Sequence, residues 1–254
     1  ALFPGDGGRH WTLELALRLL APGDLAPPSG LAYLRAWASF AETHLIHAGG
    51  EAELARWRFA EHAHAAVAAG VNGAGSPEAG AMALVLARGV ELELIGREEA
   101  IELGFGGLDA AQRPSDRLAW VETLRTLGVT DADLTARADA LVPLLGFGDG
   151  TLIELLTPVL LAGDDATAVD TVLVALAAKA KKTRKAVLLA AAARRRPEGA
   201  EALADTIAAQ ASDTDRGVAR AAEARASAWA LDATAPVAQP VVAAGWWRPT
   251  PPVW

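Results

Sequence analysis

Between His10 and Leu231 the chain breaks into a string of short apolar-periodic segments, most of them opened by a residue able to cap a helix and closed by glycine or proline. A serine, threonine or aspartate satisfies the free N–H groups of a first turn, and glycine takes the left-handed backbone that ends a last one. On this reading helices are predicted over His10 to Leu20, from Ser29 to about Ala48, over Glu51 to Ala69, from Ser76-Pro77-Glu78 to about Ala87, and over Arg97 to Leu103. In the second helix Leu31, Leu34, Trp37, Ala38, Ala41 and Leu45 recur at the spacing of one buried face. Further helices are predicted from Ser115 to Leu127, from Asp131 to Leu145 behind a Thr130 cap, and from Gly150 to Leu161. Then come Asp165 to about Ala180, Thr183 to Arg194, Pro197 to Gln210, and Ser212 to Leu231. The short connections between them place neighbours antiparallel, which is how stacked helix pairs are built.

Composition agrees. Apolar residues make up 52% of the 254, much of that alanine and leucine, which enter helices at little entropic cost. The pentapeptide Leu103-Gly104-Phe105-Gly106-Gly107 returns as Leu145-Gly146-Phe147-Gly148-Asp149 at an offset of 42, within the period of HEAT-type repeats. The expected fold is all-α: a HEAT-like α-solenoid of antiparallel helix pairs with an irregular Pro/Trp-rich C-terminal tail. Its divisions are an N-terminal helical region (1–112), the HEAT-like repeats (113–231) and an extended tail (232–254). The tail holds Pro236, Pro240, Pro249, Pro251 and Pro252, and its Trp246, Trp247 and Trp254 are expected to dock on a partner or on the domain itself. Trp37, Trp57, Trp120 and Trp229 are assigned to the core.

The chain has no cysteine, which excludes disulfides and thiolate chemistry. No apolar run reaches the length of a membrane span, and the start lacks the basic and apolar regions of a signal peptide. A cytoplasmic protein without a membrane anchor is expected. The missing initiator methionine and the unstructured end suggest a segment of a longer chain. The net charge of −8 opposes binding of nucleic acid by the chain as a whole. It is uneven, however: residues 179–196 hold eight cations and no acid, leaving 31 acidic against 15 basic residues elsewhere.

That block, Lys179, Lys181, Lys182, Arg184, Lys185, Arg194, Arg195 and Arg196, is the candidate site for nucleic acid, phosphate or an acidic partner. No aromatic interleaves with it, which argues against base stacking. His44 and His47, with His62 or His64 on the next helix, form a possible zinc set for a hydrolase. His62 and His64 point to opposite sides of a helix, though, and no HExxH string occurs. The two glycine strings follow no strand and lack the Lys-Ser/Thr of a phosphate loop, so they are expected to end helices. No catalytic residue, metal ligand or cofactor is assigned.

The stretch Asp116-Arg117-Leu118-Ala119-Trp120-Val121-Glu122-Thr123-Leu124, the capped helices Leu152 to Leu161 and Asp165 to Ala178, and the closing Pro249-Thr250-Pro251-Pro252-Val253-Trp254 resemble large uncharacterised actinobacterial proteins of HEAT-like helical repeats. The resemblance implies a scaffold role within a longer parent protein and supplies no catalytic residue. The leading expectation is therefore an interaction scaffold that binds a protein. Nucleic-acid binding by the basic block and a histidine-based metal hydrolase are the alternatives.

Overall fold

The computed structural model describes residues 9–46, 51–71 and 81–231. All regular structure among them is helical, so the chain is all-α. It divides into two compact units, Ala1–Ala140 and Leu141–Trp254. The boundary expected at 112/113 falls inside the first of these, at the short link before the helix Pro114–Thr126.

In the first unit α1 (Arg9–Leu20) is followed by a 3₁₀ turn, α2 (Leu31–Ala41), which winds on as a π turn over Glu42–Ile46, α3 (Ala52–Arg56) and α4 (Phe59–Ala68). Next come α5 (Ala81–Glu91), α6 (Arg97–Ala110), α7 (Pro114–Thr126), α8 (Asp131–Thr135) and α9 (Ala138–Leu145), within which the unit boundary falls. Helices two places apart in the chain pack on each other. One file runs α2 on α4 on α6; a second runs from the π turn through α5 to α7, and α6 pairs with α7 across the files. Leu34, Trp37 and Phe40 of α2, Phe59 of α4, Leu86 of α5, Leu108 of α6 and Trp120 of α7 fill the space between.

The second unit is helical as well. It comprises α10 (Gly150–Leu160), α11 (Asp165–Ala175), α12 (Lys181–Ala192), a 3₁₀ turn (Ala200–Leu203) leading into α13 (Ala204–Ala211), and α14 (Arg216–Ala228). α10 packs on α12 and α12 on α14, while α11 packs on both α10 and α12 and on the 3₁₀ turn before α13. Leu152, Leu156, Val172, Val187, Leu188, Ile207, Val218 and Trp229 form its core.

Several starts follow the capping logic. Thr130 and Asp133 make a reciprocal capping box at α8, and Asp149, Asp164 and Asp215 each accept N–H bonds at the starts of α10, α11 and α14. Gly70 and Gly128 adopt positive φ where helices were expected to stop.

Other expectations are corrected. Ser29 does not cap α2: Gly30 holds that position and makes no side-chain bond. Leu31 is exposed, although the rest of its predicted face is buried. The helix predicted over Glu51 to Ala69 is broken at Trp57 and Arg58, where Arg58 takes a left-handed backbone (φ 45°). The Arg58 side chain is held there by Asp24 and Glu61, and Trp57 is only half-buried instead of lying in the core. The helix predicted over Asp131 to Leu145 is likewise split into α8 and α9.

The two glycine strings do not share a structure. Gly146, Gly148 and Asp149 do separate α9 from α10, with Gly148 at φ 73°. Leu103 to Gly107 instead lies inside α6, which continues to Ala110. The reason is packing: a Cβ on Gly107 would lie 2.2 Å from Trp120 Cε2, and one on Gly104 would lie 2.6 Å from Leu124 Cδ2. These glycines let α6 approach α7 rather than ending a helix.

Candidate functional site

The basic block does not fold into one patch. α12 carries Lys181, Lys182, Arg184 and Lys185 in its first turns, whereas Arg194, Arg195 and Arg196 follow its last turn. Residues 186–193 lie between Lys185 and Arg194, which sets the two groups about 13 Å apart along the axis.

The arginines of the block act largely within the fold. Arg184 is mostly buried; it donates to the carbonyls of Ala178 and Lys179 at 3.1 and 3.0 Å and pairs with Asp213 at 2.5 Å. It thereby joins the turn after α11 to the start of α14. Arg194 donates to the carbonyls of Leu161 and Gly163, which end α10, and pairs with Asp165 at the start of α11. The second oxygen of Asp165 accepts the Glu198 N–H at 2.8 Å. That bond, followed by the Arg194 guanidinium, holds the Asp165 carboxyl below its ordinary pKa. The Trp229 indole N–H then donates to the Arg194 carbonyl at 3.3 Å. Arg196 pairs with Glu201. The planar guanidinium suits such ties because it meets a carboxylate and several carbonyls at once.

The four lysines behave differently. All are exposed. Lys182 approaches Glu154 of α10 at 3.3 Å while its side chain stays 87% exposed, and Lys181 donates to Thr214 Oγ1 at 3.3 Å. Among the described residues Lys179, Lys185 and Arg195 make no ion pair. Arg195 borders an apolar depression of about 640 Å³ between the ends of α10 and α12, floored by Pro158, Leu161, Ala162, Ala190 and Ala193.

The histidines serve the core and the surface separately. His62 has no exposed surface, stacks on Trp37 with ring centroids 5.0 Å apart, and meets Trp57 edge-on. Its Nδ1 lies 3.0 Å from the Arg58 carbonyl, which can only accept, so Nδ1 carries the proton and Nε2 accepts from the Tyr33 hydroxyl at 2.9 Å. Burial keeps His62 neutral, with its pKa lowered to about 4, and pushes the Tyr33 hydroxyl up. Both ring nitrogens are therefore used within the fold. His64 pairs with Glu99 on the surface, and His44 packs against Phe40 and accepts the Glu51 N–H. His47 lies outside the described residues. Among those described, no group of three or more His, Asp or Glu side chains is placed to hold a metal ion.

A second depression, of about 580 Å³, lies in the first unit. It has Ile101, Phe105 and Ala136 at its base and Glu98, Glu102, Asp133, Asp139, Arg97 and Arg137 around it. Arg137 covers the Phe105 ring at 4.5 Å and pairs with Glu102. Trp246, Trp247 and Trp254 lie outside the described residues, and no described helix is long and apolar enough to cross a membrane.

The Arg194–Asp165 tie and the Tyr33–His62 pair were not singled out in the sequence. Tyr33 and Trp37 stand one turn apart on α2, facing the histidine of α4; that spacing was readable, but its partner was not.

The chain matches no family model, and no significant similarity to a curated protein or a solved structure is found.

Proposed function

We propose that the chain is a non-enzymatic scaffold, a HEAT-like solenoid segment whose outward helix faces bind a protein partner. Kinship with the actinobacterial helical-repeat proteins it resembles, and a cytoplasmic setting, belong to the same proposal. The observation that carries it is the packing order. In the first unit helices two places apart stack in two files; in the second one file runs α10, α12, α14, with α11 packed on α10 and α12 and α13 packed on α14. Both arrangements leave outer faces free. Exposed apolar side chains on those faces, Leu173 on α11 and Leu189 on α12, add contact area without a core role. Catalysis has less support, because His62 is committed to Tyr33 and the Arg58 carbonyl. Nucleic-acid binding by the whole basic block has less support as well, because Arg184, Arg194 and Arg196 are paired internally.

Affinity capture with the full chain, with and without nuclease, tests the reading. A protein bound in stoichiometric amount, insensitive to nuclease and lost on Leu173→Glu with Leu189→Glu, is the expected result. Recovery of nucleic acid alone, or turnover of a substrate by the purified chain, would overturn it.

A further inference from the structure

We propose that the four lysines around the start of α12 form the docking point for an acidic segment of the partner protein, an inference that rests on the scaffold reading. Lys179, Lys181, Lys182 and Lys185 are all the lysines the chain possesses; its other 19 cations are arginines. Where the fold needs a fixed tie it uses arginine, as at Arg58–Asp24, Arg137–Glu102, Arg184–Asp213 and Arg194–Asp165. Lysine is a strongly hydrated point charge on a flexible stem, suited to exposed attraction rather than to fixed geometry.

The stability of α12 does not call for lysines at this place. A helix start is its positive end and favours acids. α12 has no acid in its first turn, and Ala180 at its N-cap makes no side-chain bond. α8, α10, α11 and α14 open on a capping threonine or aspartate, whereas α2, α4, α6 and α7 open uncapped as α12 does; what sets α12 apart is the cluster of cations in its first turns. Local rules broken without a structural gain mark residues kept for contact with something else.

The neighbours of the patch select the partner. Lys182 reaches Glu154 on α10, Lys181 reaches Thr214, and the Lys185 ammonium lies beside Gly217 at the start of α14. The lysines therefore bridge the edge formed by three stacked helices. Glu154 stands on one side and Asp213 and Asp215 on the other, and Asp213 is already paired with Arg184, so four exposed lysines face two remaining carboxylates. A phosphate backbone is a continuous track of charge and would run past those carboxylates, and the patch holds no aromatic on which a base could stack. A peptide places its carboxylates one at a time and can meet the lysines between the acids.

The test uses the full chain, a fluorescently labelled Glu-Gly repeat peptide, and a single-stranded DNA of equal formal charge. The peptide should bind, weakening as salt rises, and the K179Q/K181Q/K182Q/K185Q variant should bind it on the order of tenfold more weakly. R195Q, which changes an exposed cation beyond the other end of α12, should bind like the unaltered chain. Glutamine keeps the helix-forming propensity and removes cations from the positive end of α12, so the quadruple variant should melt no lower than the unaltered chain. Peptide binding indifferent to the lysines, with partner capture retained by the quadruple variant, overturns the docking point alone. DNA displacing the peptide at equal charge overturns the scaffold reading as well.

Discussion

Gly106 and Gly107 are neighbours on α6 with opposite demands. Gly107 is buried against Trp120, whereas nothing lies within 4 Å of a Cβ placed on Gly106. Gly107→Ala should therefore destabilise by about 1–3 kcal/mol through overpacking, while Gly106→Ala should stabilise by about 0.5–1 kcal/mol by reducing the freedom of the unfolded chain. Chemical denaturation of the two single variants checks both signs. Gly104 faces the flexible end of Leu124, so Gly104→Ala should fall between them. His62 carries the second residue-scale prediction. Its pKa is about 4 in the folded chain against 6.5 when free. Between those values the unfolded chain binds a proton that the folded chain refuses. Stability therefore falls as pH drops from 6.5 towards 4, by about 3 kcal/mol in all, and this group has no effect on stability above that window. An NMR titration should show the His62 ring neutral down to about pH 4, and Tyr33→Phe, which removes its donor, should cost about 1 kcal/mol.

At the scale of elements the question is what ties one helix to the next. Arg194 gathers the end of α10, the start of α11 and, through Asp165, the chain entering the 3₁₀ turn. Arg194→Gln should cost about 2 kcal/mol, because it strands two carbonyls and a carboxylate, whereas the exposed Lys182→Gln should stay within about 0.5 kcal/mol despite the Glu154 contact. Thermal melts of the two variants measure the difference. Thr130→Ala should remove the α8 capping box at a cost of about 1 kcal/mol, seen as early hydrogen exchange in Asp131–Thr135. The capping signals at Thr130 and Asp164 were legible because a cap is a local bargain between one side chain and the next three N–H groups. The break at Trp57 and Arg58 was not legible: Arg58 takes a left-handed backbone there, and one of its two partners, Asp24, lies 34 residues away.

For the whole molecule, charge is distributed by unit. Residues 1–140 hold 19 acidic and 11 basic residues, and residues 141–254 hold 12 of each. Carboxylates in both units are held below their ordinary pKa: Glu102 by the Arg137 side chain, Asp133 by the Thr130 N–H, Asp165 by the Glu198 N–H, and Asp213 by the Asp215 N–H. Such groups contribute stability above their unfolded pKa and lose it as pH falls through their folded values. Stability should thus fall in two phases as pH drops, one from His62 between pH 6.5 and 4 and one from the carboxylates below it. In denaturant titrations across pH, His62→Gln should flatten the upper step and leave the lower one unchanged.

The sequence by itself determined the helical class, most helix starts and stops, and the apolar stripes that would be buried, because propensity, capping and periodicity act over a few residues. It also placed eight cations side by side along the chain. Only the tertiary structure decided that a helix holds them apart, that arginines among them close the fold while the lysines face solvent, and that the Gly104–Gly107 string is a packing surface. Those outcomes depend on residues about 30 positions away and on how closely two helices approach, and neither is written in local order.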